Sequence, residues 1–171
     1  MDALLALLAE LKIPYQRFDH PAVFTCEESE KLCQPMPCAH TKHLLLRSKK
    51  KDKHVLAVVM HDKRVDTRAL AKEFGSQSFS FASPELLKEL LGVEPGSVTP
   101  FGLMFDKNKA VEVIVDEDAW AVGQFGFHPL VNTATLVVDR AGLEAFVKHT
   151  GHTLAVRTIP QRPLEEAVAR A

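Results

Sequence analysis

The sequence has few cysteines and no dominant charge of one sign. Its 171 residues include three cysteines, Cys26, Cys33 and Cys38, and this odd number argues against a complete disulfide framework. Their spacing contains no Cys-x-x-Cys pair, which gives little support to a zinc site and favours small buried hydrophobic side chains. The formal net charge is −1 and the isoelectric point is about 6.7. General DNA binding is therefore disfavoured, and any contact with RNA requires a local basic patch.

Long hydrophobic runs are also missing. The stretch 3–11 is apolar, but Asp2, Glu10 and Lys12 flank it, and it is too short to span a bilayer. It has neither a basic leader nor a cleavage site, so we expect a mature cytoplasmic protein that does not engage a membrane. The apolar fraction of 46% is typical of a globular protein. We expect one domain over residues 1–158, followed by a C-terminal tail over residues 159–171.

Several well-known catalytic motifs do not occur. The sequence has no Gly-x-Gly-x-x-Gly or P-loop motif, no carboxylate pair suited to glycosidase chemistry, and no histidine pair with metal-binding spacing on a helix. Cys38 near His40 is a candidate for Cys–His catalysis, which needs a polar, electropositive setting. The groups left unexplained are a lysine, histidines, hydroxyls and backbone donors. They suit the binding of an ester and the stabilisation of developing negative charge.

Hydrophobic periodicity predicts helices and strands that do not alternate strictly. This pattern predicts the α+β class, with a mixed, largely antiparallel sheet surrounded by helices. Two hairpins are predicted, one through a lysine-rich turn at 48–53 and one through 106–109. The predicted helices cover 2–11, 26–33, 67–74, 84–91, 140–150 and 163–171, and the predicted strands cover 15–18, 40–47, 54–60, 79–81, 101–105, 111–115, 136–138 and 154–157.

The strand predicted at 40–47 carries a lysine on an apolar face. Alternation places Lys42 on the same face as Leu44 and Leu46. Because burial of an unpaired ammonium is costly, Lys42 either reaches solvent from the start of the strand or has a function. The lysine-rich turn at 48–53 is either a solvated turn or, beside a lysine-bearing pocket, a contact for a phosphate backbone.

Two further segments have compositions that restrict the backbone. Segment 93–100 contains prolines and Gly96, which fix the chain direction and can present N–H groups to a ligand. Segment 123–130 contains two glycines, His128 and Pro129, and we predict it to be one loop that approaches a ligand closely. Residues 96–100 can also be explained as a structural turn, and His128 as a packed or half-exposed loop histidine.

Three stretches together resemble a known family. They are 40–51, which begins His-Thr-Lys, 92–102 with Gly-Ser-Val-Thr-Pro, and 126–135 with Gly-Phe-His-Pro. With Asp19-His20-Pro21 near the N-terminus, they are similar to the YbaK/prolyl-tRNA-synthetase insertion-domain family. The most similar branch is that of the freestanding ProXp-ala or PrdX prolyl-tRNA deacylases. The resemblance covers roughly residues 1–158, and three motifs in the same order make it specific.

This resemblance implies a trans-editing aminoacyl-tRNA deacylase that hydrolyses the ester of alanine wrongly attached to proline tRNA. It implies a mixed sheet surrounded by helices and no metal ion or cofactor. The implied partners are the acceptor end of tRNA(Pro) and prolyl-tRNA synthetase, without DNA. Lys42 is the implied catalytic residue. The implied substrate-binding residues are His43, Gly96, Ser97, Val98, Thr99, Pro100, Gly126, His128, Pro129, Asn132 and Thr133.

One motif position departs from the branch, which usually has asparagine where this chain has His43. Both side chains donate and accept hydrogen bonds, but histidine is larger and titrates, so the fine specificity and pH profile stay open. Alanine and proline must be separated by size in a rigid pocket. The alternatives are a deacylase for cysteinyl- or seryl-tRNA and a non-catalytic tRNA- or synthetase-binding module. Lys42 on an apolar face argues against a pure binding module.

Overall fold

The computed structural model describes residues 1–23 and 35–163. The predicted helix that begins at Cys26, including Cys33, and the predicted helix after Pro163 lie outside these residues. The described elements are α1 (Asp2–Glu10), β1 (Gln16–Asp19), β2 (Thr41–Ser48), β3 (His54–Met60), α2 (Thr67–Glu73), β4 (Phe79–Phe81), α3 (Pro84–Leu91), a 3-10 helix (Pro100–Phe105), β5 (Val111–Asp116), α4 (Glu117–Val122), β6 (Gln124–Phe127), β7 (Ala134–Asp139), α5 (Arg140–His149) and β8 (Leu154–Arg157).

The described strands form two sheets. A five-stranded sheet has the order β4-β2-β3-β5-β8, and a three-stranded sheet has the order β1-β7-β6. Strand β2 runs antiparallel to β3 and β4, whereas β5 runs parallel to β3 and β8. All pairings in the smaller sheet are antiparallel. The α+β class with mixed, largely antiparallel pairing is confirmed, although the prediction was of one sheet.

The larger sheet is buried on both faces, and β2 shows this directly. Leu45 belongs to a core cluster that includes Phe125 of the smaller sheet, while Leu46 belongs to a second cluster that includes Leu70 of α2. Because neighbouring strand residues point to opposite faces, Lys42 lies on the Leu46 side and His43 on the Leu45 side. The predicted face of Lys42 is therefore confirmed.

The second predicted hairpin is wrong. Residues 101–105 belong to the 3-10 helix and not to a strand, and β5 pairs in parallel with β3. Thr99 caps this helix by accepting a hydrogen bond from the backbone N–H of Phe101 at 3.3 Å. Pro100 then occupies the first position, where proline is well tolerated. An apolar run without clear alternation does not by itself distinguish a strand from a short helix.

The prediction of one loop over 123–130 is also wrong in part. Residues 124–127 form β6, in which Phe125 and Phe127 are buried and alternate with Gln124 and Gly126. A Cβ atom at Gly126 would lie 3.0 Å from the Cys38 sulfur, so this glycine permits close packing inside the fold. Helix α4 was not predicted. None of the helices in the described residues is long and apolar enough to cross a membrane.

Candidate functional site

A cavity of about 280 Å³ lies between two loops that the sequence singled out. Its volume is close to the lower end of the range of ligand pockets, about 300–1,000 Å³. Lys88 and Glu94 form an exposed ion pair of 3.0 Å at the cavity. The lining residues are Lys88, Gly92, Val93, Glu94, Pro95, Ser97, Leu130, Val131 and Asn132.

The first loop begins where α3 ends. Ser83 caps the start of α3, and Gly92 ends the helix in a left-handed conformation with φ +66°. Gly96 has φ +88° and occupies a turn in which the Ser97 N–H donates to the Glu94 carbonyl at 3.0 Å. These positions direct the chain past the cavity and place Ser97, which is almost fully buried, in its wall.

The second loop follows β6 and is tightly folded. The Leu130 N–H donates to the His128 carbonyl at 2.9 Å across the buried Pro129, and Leu130 has φ +69°. A left-handed conformation costs a residue with a β-carbon about 1–2 kcal/mol, and such strain is found at functional sites. Asn132 fixes the loop, since its side-chain Nδ2 donates to the Val23 carbonyl at 3.0 Å and its backbone carbonyl accepts from the Val23 N–H at 3.1 Å.

His43 contacts the first loop directly. Its Nδ1 lies 2.9 Å from the Val98 carbonyl, its Nε2 lies 3.1 Å from the Thr41 hydroxyl, and its ring packs edge-on to Phe127 at 5.1 Å. Because a carbonyl only accepts, Nδ1 carries the proton and Nε2 accepts from Thr41. Burial, which disfavours the charged ring, lowers the pKa of His43 to about 4. The ring is therefore neutral near pH 7.

His128 lies beside a histidine that the sequence analysis did not assign to the site. Its Nδ1–H donates to the Ala134 carbonyl at 2.9 Å, and its ring is 5.8 Å from that of His20. Burial lowers the pKa of His128, and the nearby His20 lowers it further. His20 itself donates to the Pro21 carbonyl and lies 3.0 Å from the Thr135 hydroxyl. The Asp-His-Pro motif near the N-terminus was the sequence signal that could have identified it.

Lys42 points to the opposite side of β2 from His43. It is partly buried and is the cross-strand neighbour of Val59. It does not line the cavity, and within residues 1–23 and 35–163 its ammonium forms no hydrogen bond or ion pair. The exposed Lys49 and Lys50 lie at the other end of β2, about 20 Å away at the usual rise per residue. The lysine-rich turn is therefore not beside Lys42.

The remaining predicted site residues lie in three places. Ser97 and Asn132 come together at the cavity, whereas Thr99 and Pro100 are buried at the start of the 3-10 helix. Thr133 is exposed, and its carbonyl accepts from the His20 N–H at 3.0 Å. Substrate roles for residues that do not line the cavity stay predictions.

Within the described residues, neither Cys38 as a nucleophile nor a metal cluster is supported. Burial raises the pKa of the Cys38 thiol to about 11, which leaves little reactive thiolate near pH 7. In the part of the chain that the structure describes, no three His, Cys, Asp or Glu side chains are grouped so that they could hold a metal ion.

Acidification is expected to destabilise the protein through His43. Because its pKa falls from the usual 6.5 to about 4 on folding, the unfolded chain binds more protons between these values. The free energy of unfolding should therefore fall as the pH drops from 6.5 to 4, by about 1–3 kcal/mol from this residue. Urea unfolding of the wild type and His43→Asn at several pH values measures it. Equal pH dependence in both proteins would contradict the expectation, since His128 is present in each.

Comparison with known proteins identifies the family of this chain. The family model for the aminoacyl-tRNA editing domain matches residues 20–146. The "Prolyl-tRNA editing protein ProX" of Acetoanaerobium sticklandii is 37% identical over 152 residues, which cover 89% of this chain and 93% of the relative. The "Prolyl-tRNA synthetase associated domain-containing protein 1" of Xenopus laevis is 38% identical over 153 residues, with coverage of 87% and 90%. The "Multifunctional Ser/Thr-tRNA deacylase ProXp-y" of Escherichia coli K12 is 31% identical over 100 residues, with coverage of 57% and 60%.

The fold also has a counterpart among solved structures. A crystal structure of a candidate trans-editing enzyme for prolyl tRNA synthetase superposes with a TM-score of 0.65 at 19% identity, covering 95% of this chain and 99% of that one. At this identity the likeness establishes the fold alone. The family match spans most of the chain, and two of the relatives align over nearly their full length. This protein therefore belongs to the aminoacyl-tRNA editing domain family, as its motifs predicted, and it is an aminoacyl-tRNA deacylase, a hydrolase of carboxylic esters.

Proposed function

We propose that this deacylase removes alanine wrongly attached to proline tRNA, that it acts in trans, and that it depends on Lys42. The observation that carries the proposal is the meeting of two motif loops at one small cavity, with Ser97 and Asn132 in its wall. The names of two relatives aligned over most of their length, a prolyl-tRNA editing protein and a prolyl-tRNA synthetase associated protein, support tRNA(Pro) as the carrier. The acceptor end of tRNA(Pro) is then the partner, prolyl-tRNA synthetase is its source, and the cytoplasm is the location.

The chemistry requires little beyond positioning and charge stabilisation, because an aminoacyl ester is already activated. Water attacks the ester carbonyl, the bond to the ribose oxygen breaks, and that oxygen receives a proton, with the vicinal hydroxyl of the ribose assisting. The ammonium of Lys42 holds the terminal ribose or phosphate and stabilises the developing oxyanion. Backbone groups of the Gly96 loop orient the carbonyl. No protein nucleophile is needed, which agrees with the protonated thiol of Cys38.

The positions of Lys42 and the cavity fit a division of tasks. Lys42 and His43 point to opposite faces of β2, yet their Cα atoms are about 3.8 Å apart because they are consecutive. The long side chain of Lys42 thus starts beside the strand residue that contacts the Val98 loop. In our proposal the cavity receives the amino acid, and Lys42 engages the nucleotide to which it is esterified.

Selection of alanine over proline rests on size. The loops that line the cavity are held by the turn across Pro129 and by the Asn132 bonds to Val23. A rigid wall cannot move aside for a larger ring. Serine is smaller than proline, so size alone does not exclude it from the cavity. The Escherichia coli relative is named a Ser/Thr-tRNA deacylase. Seryl-tRNA is therefore the second candidate substrate.

A deacylation assay with the full chain distinguishes these substrates. Proline tRNA is charged separately with alanine, serine, cysteine and proline, and kcat/KM is measured for each. We expect kcat/KM to be highest for alanine. For proline it should be lower by a factor of about 100 or more, because the ring is rejected sterically. Faster removal of serine or cysteine would replace the proposed substrate. Equal rates for alanine and proline would contradict size selection, and binding without hydrolysis would indicate a binding module.

A further inference from the structure

We propose that Thr41 and His43 are positioning residues that hold the loop 96–100 against β2 and thereby set the amino acid selectivity of the site. We call Thr41, His43 and the Val98 carbonyl the histidine clamp. The inference rests on the proposed function for the meaning of selectivity, but the hydrogen bonds that define the clamp are independent of it. It assigns His43 to the support of the cavity, and not to contact with the substrate.

The hydrogen bonds of the clamp form a chain from Thr41 through His43 to Val98. The Thr41 hydroxyl donates to His43 Nε2 at 3.1 Å, and His43 Nδ1–H donates to the Val98 carbonyl at 2.9 Å. A neutral imidazole has one donor and one acceptor, so both of its nitrogens are engaged. The ring has no polar group left for a substrate. Thr41 and His43 lie two residues apart on one face of β2, which is why they can meet.

Packing prevents the ring of His43 from turning away. The ring of Phe127 meets it edge-on at 5.1 Å, and Phe101 supports Phe127 in turn at 5.6 Å. Phe127 and Phe101 are almost fully buried in the main core cluster. A rotated ring would leave the Val98 carbonyl and the Thr41 hydroxyl without these partners. The clamp therefore connects the loop to the buried aromatic core.

The clamp acts at the middle of the loop. On one side of Val98, Ser97 lines the cavity and bonds to Glu94, and on the other side Thr99 caps the 3-10 helix. Each end of the loop is thus held by local bonds, while His43 ties its centre to the sheet. A shift of the Val98 carbonyl would move Ser97 with it, since the two are adjacent. The width of the cavity therefore depends on the clamp.

The ratio of kcat/KM for alanine to that for proline, compared among the wild type and four variants, tests the clamp. The assay measures kcat/KM for alanyl- and prolyl-tRNA(Pro) with the wild type, His43→Phe, His43→Asn, Thr41→Val and His149→Ala. His43→Phe keeps an aromatic ring but loses the donor, and it should lower the alanine-to-proline ratio about 3- to 10-fold, as expected for one hydrogen bond. Thr41→Val should change the ratio in the same direction by a smaller factor.

The conservative variant and the control sharpen this test. His43→Asn retains an N–H donor and should keep most of the selectivity, because an amide can also bond to the Val98 carbonyl. His149 is exposed in the last turn of α5, and His149→Ala should leave both rate constants unchanged. An unchanged ratio in His43→Phe would overturn the inference, and so would an equal loss in His43→Asn and His43→Phe.

A measurement without tRNA keeps the clamp testable if the proposed function fails. Nitrogen NMR of the wild type near pH 7 should show the proton of His43 on Nδ1, and a proton on Nε2 would overturn the clamp. Hydrogen exchange at the Ser97 and Thr99 amides should be about 3- to 10-fold faster in His43→Phe than in the wild type. Equal exchange rates would overturn the claim that the loop is held, whereas absence of alanyl-tRNA(Pro) hydrolysis would refute only the proposed substrate.

Discussion

Replacing Lys42 with alanine is expected to lower kcat for alanyl-tRNA(Pro) by about 10²–10³-fold, the usual cost of removing one stabilising group from a charged transition state. Lys42 is partly buried, and within the described residues its ammonium has no hydrogen bond or ion pair that it would have to give up in order to bind an anion. The fold should be unaffected, because the substitution leaves no partner unsatisfied. Single-turnover deacylation and urea unfolding, measured together, separate these two effects.

Three further variants identify what Lys42 contributes. Lys42→Met keeps the apolar stem but not the charge and should be as inactive as Lys42→Ala. Lys42→Arg keeps the charge in a planar group and should recover only part of the rate, because its geometry differs. Lys50→Ala removes an exposed lysine at the far end of β2 and should retain wild-type activity. The assignment fails if Lys42→Met retains near wild-type rates, or if Lys50→Ala loses as much activity.

Local sequence rules predicted much of the framework around the site. The helices predicted at 67–74, 84–91 and 140–150 each follow a residue suited to capping, Asp66, Ser83 or Asp139, and each of these side chains accepts a hydrogen bond from a backbone N–H in the first turn. Gly92 follows the predicted helix 84–91 directly and ends α3 in a left-handed conformation. Such features depend on residues a few positions apart, so one sequence is sufficient to identify them.

The arrangement of the site depended on contacts that local rules do not reach. The cavity is lined by residues more than 30 positions apart in the sequence. Leu130 adopts a left-handed conformation, which a sequence usually indicates by a glycine at that position. His20 meets Thr135 only because β1 pairs with β7. Alternation along a strand predicts that the side chains of Lys42 and His43 point to opposite faces, yet the family resemblance implies that both belong to one site. The contact between His43 and the Val98 carbonyl, on which we base separate roles for the two positions, could not be predicted from residues 40–47 alone.

Replacing Lys63 with alanine is expected to lower the free energy of unfolding by about 3–5 kcal/mol, the usual cost of leaving a buried charge without its partner. Lys63 Nζ lies 2.8 and 2.7 Å from the two carboxylate oxygens of Asp116, and their side chains are only 9% and 1% exposed. Asp116 also accepts a hydrogen bond from the N–H of the buried Ile159 at 3.0 Å. The ion pair thus joins the turn after β3 to the end of β5, and Asp116 in turn holds the chain that follows β8.

Matched variants show whether the lost stability comes from the charge of Lys63. Lys63→Met retains the apolar stem and should still show most of the loss in free energy of unfolding expected for Lys63→Ala. The double variant Lys63→Met with Asp116→Asn should recover part of this loss, because no buried charge remains. Lys88→Ala breaks the exposed pair with Glu94 and should change the free energy of unfolding by about 1 kcal/mol or less. Urea unfolding at pH 7 measures all four variants. If Lys63→Ala and Lys88→Ala lost similar amounts, burial would not be the source of the effect.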